Sequence, residues 1–385
     1  MSATQKLYYV ANARMPNEKA HGIQIAKMCE AFVLQGVDLV LVVPARGKDV
    51  SIQEFYGLSV EVKVVRVPTV DLYSVGRLGF ALSSLLFLVG VSVYFFIKKI
   101  RGERVRVYTV DMDNFSYTPL VLLAPVFTEM HTPKVYSQLQ NFFFSRAAGV
   151  IATNGLTRQK LIDDYKLAPS CVVAEPNGVD VGKFGVEIST SAAREVCGLP
   201  QDKKIVLYVG RFYAWKGLDI LPLACGGLPE DTRCYMVGGS EEEFKQVTGV
   251  SSIPPTMVFV GEKAPQEIPL WLQAADVLLV LGTEKNEDSS RYTSPMKLFE
   301  YMAANKPIVA SATAALTDVL TPASAFLCEP DNVRALSDAM QLALASEDAP
   351  KRSLQARQWV QVHTWNLRAE RVLAFINSVD RLKSL

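Results

Sequence analysis

The chain reads as an α/β protein built from two doubly wound domains, and three observations carry that expectation. Its 385 residues suffice for two sizeable cores. Apolar runs of strand length alternate with amphipathic helical stretches in two separate blocks. Between the blocks stands PNGVDVGKFGVEISTS (176–191), rich in glycine, polar residues and turn formers, which reads as a linker.

In the first block LYYVANA, VDLVLVVPA, LSVEVKVVRV, VRVYTV, PVFTEM and GVIATN read as strands, with a helix over Ala20 to Gln35. In the second the strands are KIVLYVG, RCYMVGG, MVFVG, DVLLVLG, KPIVASA and AFLCEP. Helices are expected to begin near Trp215, Glu241, Pro265, Ser294 and Asp331. The tail from Asp348 is helical, with Trp365 as its anchor. The expected domains are 1–185, 186–360 and a C-terminal helix, 361–385, packing back on the first. Open α/β sheets bind ligands at the carboxyl ends of their strands, so two such halves imply a cleft between them.

Composition narrows the function classes. With 40 Lys+Arg against 39 Asp+Glu the net charge is +1, which argues against a dedicated nucleic-acid binder. Six cysteines form no C-x-x-C pair and only three histidines are present, so a metal site is not expected. Reduced cysteines and an N-terminus without a signal-peptide pattern point to the cytoplasm. One segment disturbs that picture. LGFALSSLLFLVGVSVYFFI, Leu78 to Ile97, is uncharged and about as long as a membrane-spanning helix, and Lys98, Lys99, Arg101, Arg104 and Arg106 follow. Because the strands on either side should share one sheet, docking on an anionic inner membrane face through 78–106 is expected rather than a crossing, with a purely internal or oligomer-facing helix as the alternative.

The stretch RYTSPMKLFEYMAANKPIVA (291–310) points to chemistry. Ser294 reads as an N-cap and Pro295 as the first helical residue, with Leu298, Phe299, Met302 and Ala303 on the core face. Lys297 then lies in the first turn, where the helix dipole disfavours a cation, and Glu300 follows in the weaker ion-pair order. A bound anion explains the lysine, and a polar ligand group explains the glutamate. Similarly, in LYVGRFYAWKG a strand ends at Gly210, followed by Arg211 and Lys216. A guanidinium fork and a point charge at a sheet edge suit a diphosphate.

With these marks the chain resembles the family-4 glycosyltransferases of the GT-B fold, two Rossmann-like domains facing across a cleft. The resemblance rests on VGRFYAWKG and SPMKLFEYMAANKPIVAS, supported by MVGGSEE, FVGEKAPQEIPLWLQAADVLLV, EPNGVDVGKF, KAHGIQIAKMCEAF and FTEMHT. It implies that Arg211 and Lys216, beside Gly210, bind the donor diphosphate, and that main-chain groups at Ser294, Pro295 and Met296 meet its phosphates. Glu300 would hold the ribose hydroxyls, Gly22 would approach the distal phosphate and acceptor, and His131 would face the transferred sugar. Two positions depart from the family pattern: Tyr292 stands where the first glutamate of E-x7-E is expected, and His21 where the first loop glycine is expected. His21, Asp111, Asp113, Glu129 and Tyr292 remain candidate acceptor or sugar contacts. Against those roles, His131 could be a core histidine, Glu129 could only orient it, and the two aspartates could be helix caps.

The implied reaction is retaining transfer of a sugar from a nucleotide-diphospho-sugar to a lipid-linked acceptor or cell-envelope glycan precursor, without a cofactor or essential metal. The alternatives are a nucleotide-sugar 2-epimerase and a nucleotide-sugar-binding protein with weak catalysis.

Overall fold

The computed structural model describes residues 6–46, 50–110 and 117–383. The chain divides into two compact units, 1–176 with 365–385, and 177–364.

The first unit is built on a seven-stranded sheet with the order β3-β2-β1-β4-β5-β6-β7. Its strands are β1 Lys6–Val10, β2 Leu39–Pro44, β3 Lys63–Val67, β4 Val105–Val110, β5 Val126–Met130, β6 Gly149–Ala152 and β7 Val172–Ala174. Every pairing is parallel. Parallel strands need crossovers and are covered on both faces, which is why these segments are apolar runs rather than alternating ones. One face holds Val10, Val42, Phe87, Val91, Phe95, Val107 and Val150. The helices Ala20–Leu34 and Trp365–Lys383 pack against each other within this unit.

The second unit has a six-stranded parallel sheet, β10-β9-β8-β11-β12-β13. Here the strands are β8 Lys204–Val209, β9 Thr232–Val237, β10 Met257–Phe259, β11 Val277–Val280, β12 Ile308–Ser311 and β13 Phe326–Cys328. Two apolar clusters form within the unit, one including Leu207, Leu278 and Phe299, the other Val206, Leu279 and Met340. The strand order reverses between β1 and β4 in one sheet and between β8 and β11 in the other, the places where doubly wound folds bind ligands.

Several local expectations change. Strand β7 was not anticipated. The stretch 58–67 yields a strand only from Lys63. Near Trp215 the chain makes a 3-10 turn, Ala214–Lys216, and the α-helix proper is Leu221–Gly226. The stretch 176–191 is not a free linker: Val179 and Phe184 are buried in the second unit's core. The division therefore falls after Pro176 rather than at 185, and after Thr364 rather than at 360. Glycine and polar content suggested a linker, but two apolar side chains placed to bury decided otherwise.

Candidate functional site

In the second unit the carboxyl end of β8 brings two lysines together, with Arg211 next in the chain. Gly210, with φ +131°, lies in a region open chiefly to glycine. A Cβ there would stand 3.3 Å from Lys297 Nζ and 3.8 Å from Lys216 Nζ, so both ammonium groups converge beside its backbone. Gly238 supports the arrangement from behind, since a Cβ on it would come within 2.5 Å of the Gly210 carbonyl.

Lys216 is held by donating to the Arg211 carbonyl at 2.7 Å, with Nζ 4.7 Å from the Tyr213 ring centroid. Burial lowers its pKa to about 8. Lys297 reaches back from its helix onto Tyr208, with Nζ 3.8 Å from the ring centroid. Burial first, and then the neighbouring Lys216, push its pKa well below that of an ordinary lysine. Arg211 is exposed and meets Glu262 at 3.3 Å.

The helix carrying Lys297 is Met296–Ala303, and its N-cap is Pro295, one residue later than expected. Ser294 is not the cap; its carbonyl accepts from Asn177 Nδ2 at 2.8 Å. Among the described residues no side chain caps this helix, so the dipole's positive end stays uncapped beside two lysines. Glu300 lies one turn along the same helix. Burial raises its carboxyl to about 7, against the opposing pull of Lys183 and Lys297. Among the described residues it accepts no side-chain hydrogen bond. Its stabilising contribution is full below pH about 4.5 and is lost as pH rises through about 7.

In the first unit the polar centre is Glu129, on β5 and fully buried. Its Oε1 accepts from Gln24 Nε2 at 2.7 Å and pairs with His131 Nε2 at 2.9 Å. The Tyr108 hydroxyl and the Arg368 guanidinium, 3.0 Å away, complete the set. Burial opposes ionisation, but Arg368 and the His131 and Tyr108 hydrogen bonds outweigh it and hold the carboxyl at about 2. Glu129 is thus saturated by protein groups, and it positions His131 rather than meeting a sugar. His131 keeps a side-chain exposure of 30%, so its ring can also face outward. Close by, His21 is lowered to about 4 by burial, then by His131 and Lys19.

Comparison with known proteins gives this geometry a context. Residues 189–358 match the family described as Glycosyl transferases group 1. The D-inositol 3-phosphate glycosyltransferase of Corynebacterium aurimucosum is 27% identical over 53% of this chain and 49% of its own. The chain thus spans about half the length of that relative. The phosphatidyl-myo-inositol mannosyltransferase of Mycobacterium leprae is 26% identical over 66% of this chain and 65% of its own.

Among solved structures, a glycosyltransferase from Rickettsia africae superposes with a TM-score of 0.76 at 17% identity, covering 98% of this chain and 99% of that one. Anabaena HepE in complex with UDP gives 0.72 at 15%, covering 97% and 100%. The fold is GT-B, with two parallel-sheet Rossmann-like domains.

Within the second unit, Gly210, Arg211, Lys216, Lys297 and the Pro295–Met296 helix start share the carboxyl side of β8, with Glu300 one turn along. Tyr292 does not join them as an open contact. It is 5% exposed and donates to Glu287 Oε1 at 2.9 Å, so its ring belongs to the packing. In the first unit Gly22 has its N–H committed to the Lys19 carbonyl at 2.9 Å. A Cβ on it would lie 2.6 Å from the Tyr56 hydroxyl and 2.7 Å from the Asn17 amide, so these two side chains pack closely over it. Asp111 and Asp113 lie outside the described residues.

Sequence reading missed Tyr208, Gly238, Gln24, Tyr108 and Arg368. Arg368 had a legible signal: it lies among Trp365, Ala369, Val372 and Ile376, a charge on an apolar helical stripe.

Proposed function

We propose that the chain transfers a sugar from a nucleotide-diphospho-sugar, with retention at the anomeric carbon, to a lipid-linked acceptor or a cell-envelope glycan precursor. The observation that carries this reading is the convergence of Lys216 and Lys297 beside Gly210, at an uncapped helix start followed by Glu300. A diphosphate would neutralise charges that otherwise repel, and a ribose hydroxyl would donate to a carboxyl without a side-chain donor. The neighbour solved with UDP supports a nucleoside diphosphate as the donor's leaving group. The curated relatives, a glycosyltransferase for an inositol phosphate and a mannosyltransferase for a phosphatidyl-inositol, support transfer to a polyol or lipid acceptor.

In the reaction, the bond from the anomeric carbon to the diphosphate oxygen breaks and negative charge gathers on the leaving group. Lys216, Arg211 and the N-terminal dipole of Met296–Ala303 stabilise it in place, ready before the reaction begins. Because these cations take up the charge, activity is expected to persist in a divalent-ion chelator. His131, oriented by Glu129, faces the transferred sugar.

The deciding experiment is a panel of nucleotide-diphospho-sugars with chelator present, scored for transfer, for epimerisation and for binding alone. Transfer from at least one donor supports the proposal. Epimerisation, or binding without turnover, replaces it.

A second expectation concerns Glu300. An ionised carboxylate accepts ribose hydroxyls more strongly, so affinity should rise through pH about 7 and fall as Lys216 loses its proton near pH about 8. Glu300→Gln should weaken binding of the ribonucleoside diphosphate roughly tenfold and remove the lower limb of that profile. The 2′-deoxy analogue should respond far less. Calorimetry with both ligands checks this, and equal losses would make Glu300 a helix-edge carboxylate with no part in ribose binding.

A further inference from the structure

The helix Gly76–Ile100 connects β3 to β4 and is long and apolar enough to cross a membrane by length and composition. It does not do so as a free span, because both flanking strands belong to one sheet. Its inner face, Phe87, Val91 and Phe95, packs with Tyr8, Val42 and Val107 in the sheet's core.

The outer face is the unexplained one. Leu78, Leu82, Leu85, Val89, Val93, Phe96 and Ile100 recur at intervals of three and four residues, the spacing of one helical stripe. Each is at least 48% exposed, and Leu78 is 84% exposed. The stripe runs roughly 33 Å, longer than the scattered apolar contacts of an ordinary surface. At its far end Lys99 Nζ donates to the Leu122 carbonyl at 3.2 Å, which brings the exposed Leu122 alongside.

Charge selects the occupant. No acidic residue occurs from Leu72 to Gly102. Exposed cations bracket the stripe, Arg77 before it and Lys99, Arg101 and Arg104 after it, while Glu103 among them is engaged by Lys98 at 2.7 Å. A second copy laid along the stripe in either direction would set cations against cations, which disfavours self-pairing. An anionic lipid surface meets both ends at once, and its acyl region takes the stripe between them. We propose that this face rests on an anionic lipid bilayer, with the helix lying along the membrane surface and the rest of the first unit outside the lipid. In a parallel sheet the helix begins at the carboxyl edge, so its Arg77 end lies at the strand ends that carry His131. The docking itself does not rest on the sugar-transfer reading.

Flotation with phosphatidylcholine vesicles, alone or mixed with phosphatidylglycerol, tests the proposal without any sugar donor. The wild-type chain should float with the mixed vesicles and not with phosphatidylcholine alone, and alkaline carbonate should release it. Arg101→Glu with Arg104→Glu, both exposed, should reduce the bound fraction at least about tenfold. The triple variant L82S/V89S/V93S should abolish binding. If that variant does not fold, the charge variant carries the test alone. Absence of binding to either vesicle overturns the proposal. So does a salt-independent dimer that the triple variant dissolves, equal binding by the charge variant, or retention through carbonate treatment, which would mean a crossing.

Discussion

Replacing Lys216 with alanine is expected to lower turnover about a hundredfold or more while leaving the melting temperature unchanged or slightly raised. The two effects separate because Lys216 and Lys297 crowd one backbone site beside Gly210. Without a bound diphosphate they repel, so deleting one relieves strain in the free protein. With the diphosphate present, the same deletion removes a contact that strengthens as charge leaves the sugar. Burial holds Lys216 at about 8, below the ordinary 10.5, so the unfolded chain binds this proton more tightly. Stability contributed by this position therefore rises with pH between about 8 and 10.5, and the alanine variant should lack that rise. The value of kcat/KM is expected to show the opposite slope, falling above pH about 8 in the wild type as the ammonium of the free protein is lost. Stopped-time assays and thermal unfolding across that pH range measure both. Near-normal turnover in the variant would remove Lys216 from the diphosphate site.

How much of this was readable from residues alone depends on whether the signal is local. Parallel strands buried on both faces are unbroken apolar runs, so twelve of the strands stood out, and only the three-residue Val172–Ala174 escaped. Lys297 stood out because it contradicts a local rule, a cation in the first turn of a helix. What it rests on, the Tyr208 ring, comes from a strand far back in the chain and leaves no mark near Lys297. Glu129 shows the same limit more sharply. Its spacing to His131 was legible, but its partners Gln24, Tyr108 and Arg368 come from three other elements, and only their meeting shows that the carboxylate is occupied. The Tyr56 and Asn17 side chains that close in on Gly22 likewise left no mark in the sequence around it.

Arg368→Met is expected to cost about 3–5 kcal/mol of stability at neutral pH, the range for breaking a buried ion pair by removing one partner. Arg368 and Glu129 are both fully buried and meet at 3.0 Å. Methionine keeps much of the volume but leaves the carboxylate without its guanidinium. Arg368 also donates to the Pro176 carbonyl at 2.8 Å and the Glu175 carbonyl at 3.3 Å, which lose their donor as well. Holding Glu129 at about 2 rather than the ordinary 4.5 means that its stabilisation is present above pH about 4.5 and is lost as pH falls towards 2. Without Arg368 the buried carboxyl should protonate more readily, so the gap between variant and wild type should narrow on acidification. Adding Glu129→Gln to Arg368→Met should recover part of the loss, because a neutral amide needs no counter-charge. Urea midpoints at unchanged m, taken between pH 4 and pH 7 (roughly one unit apart), give the comparison. A variant as stable as the wild type at pH 7, or a deficit that neither acid nor the second substitution reduces, would mean that packing rather than the ion pair holds the tail helix to the first unit.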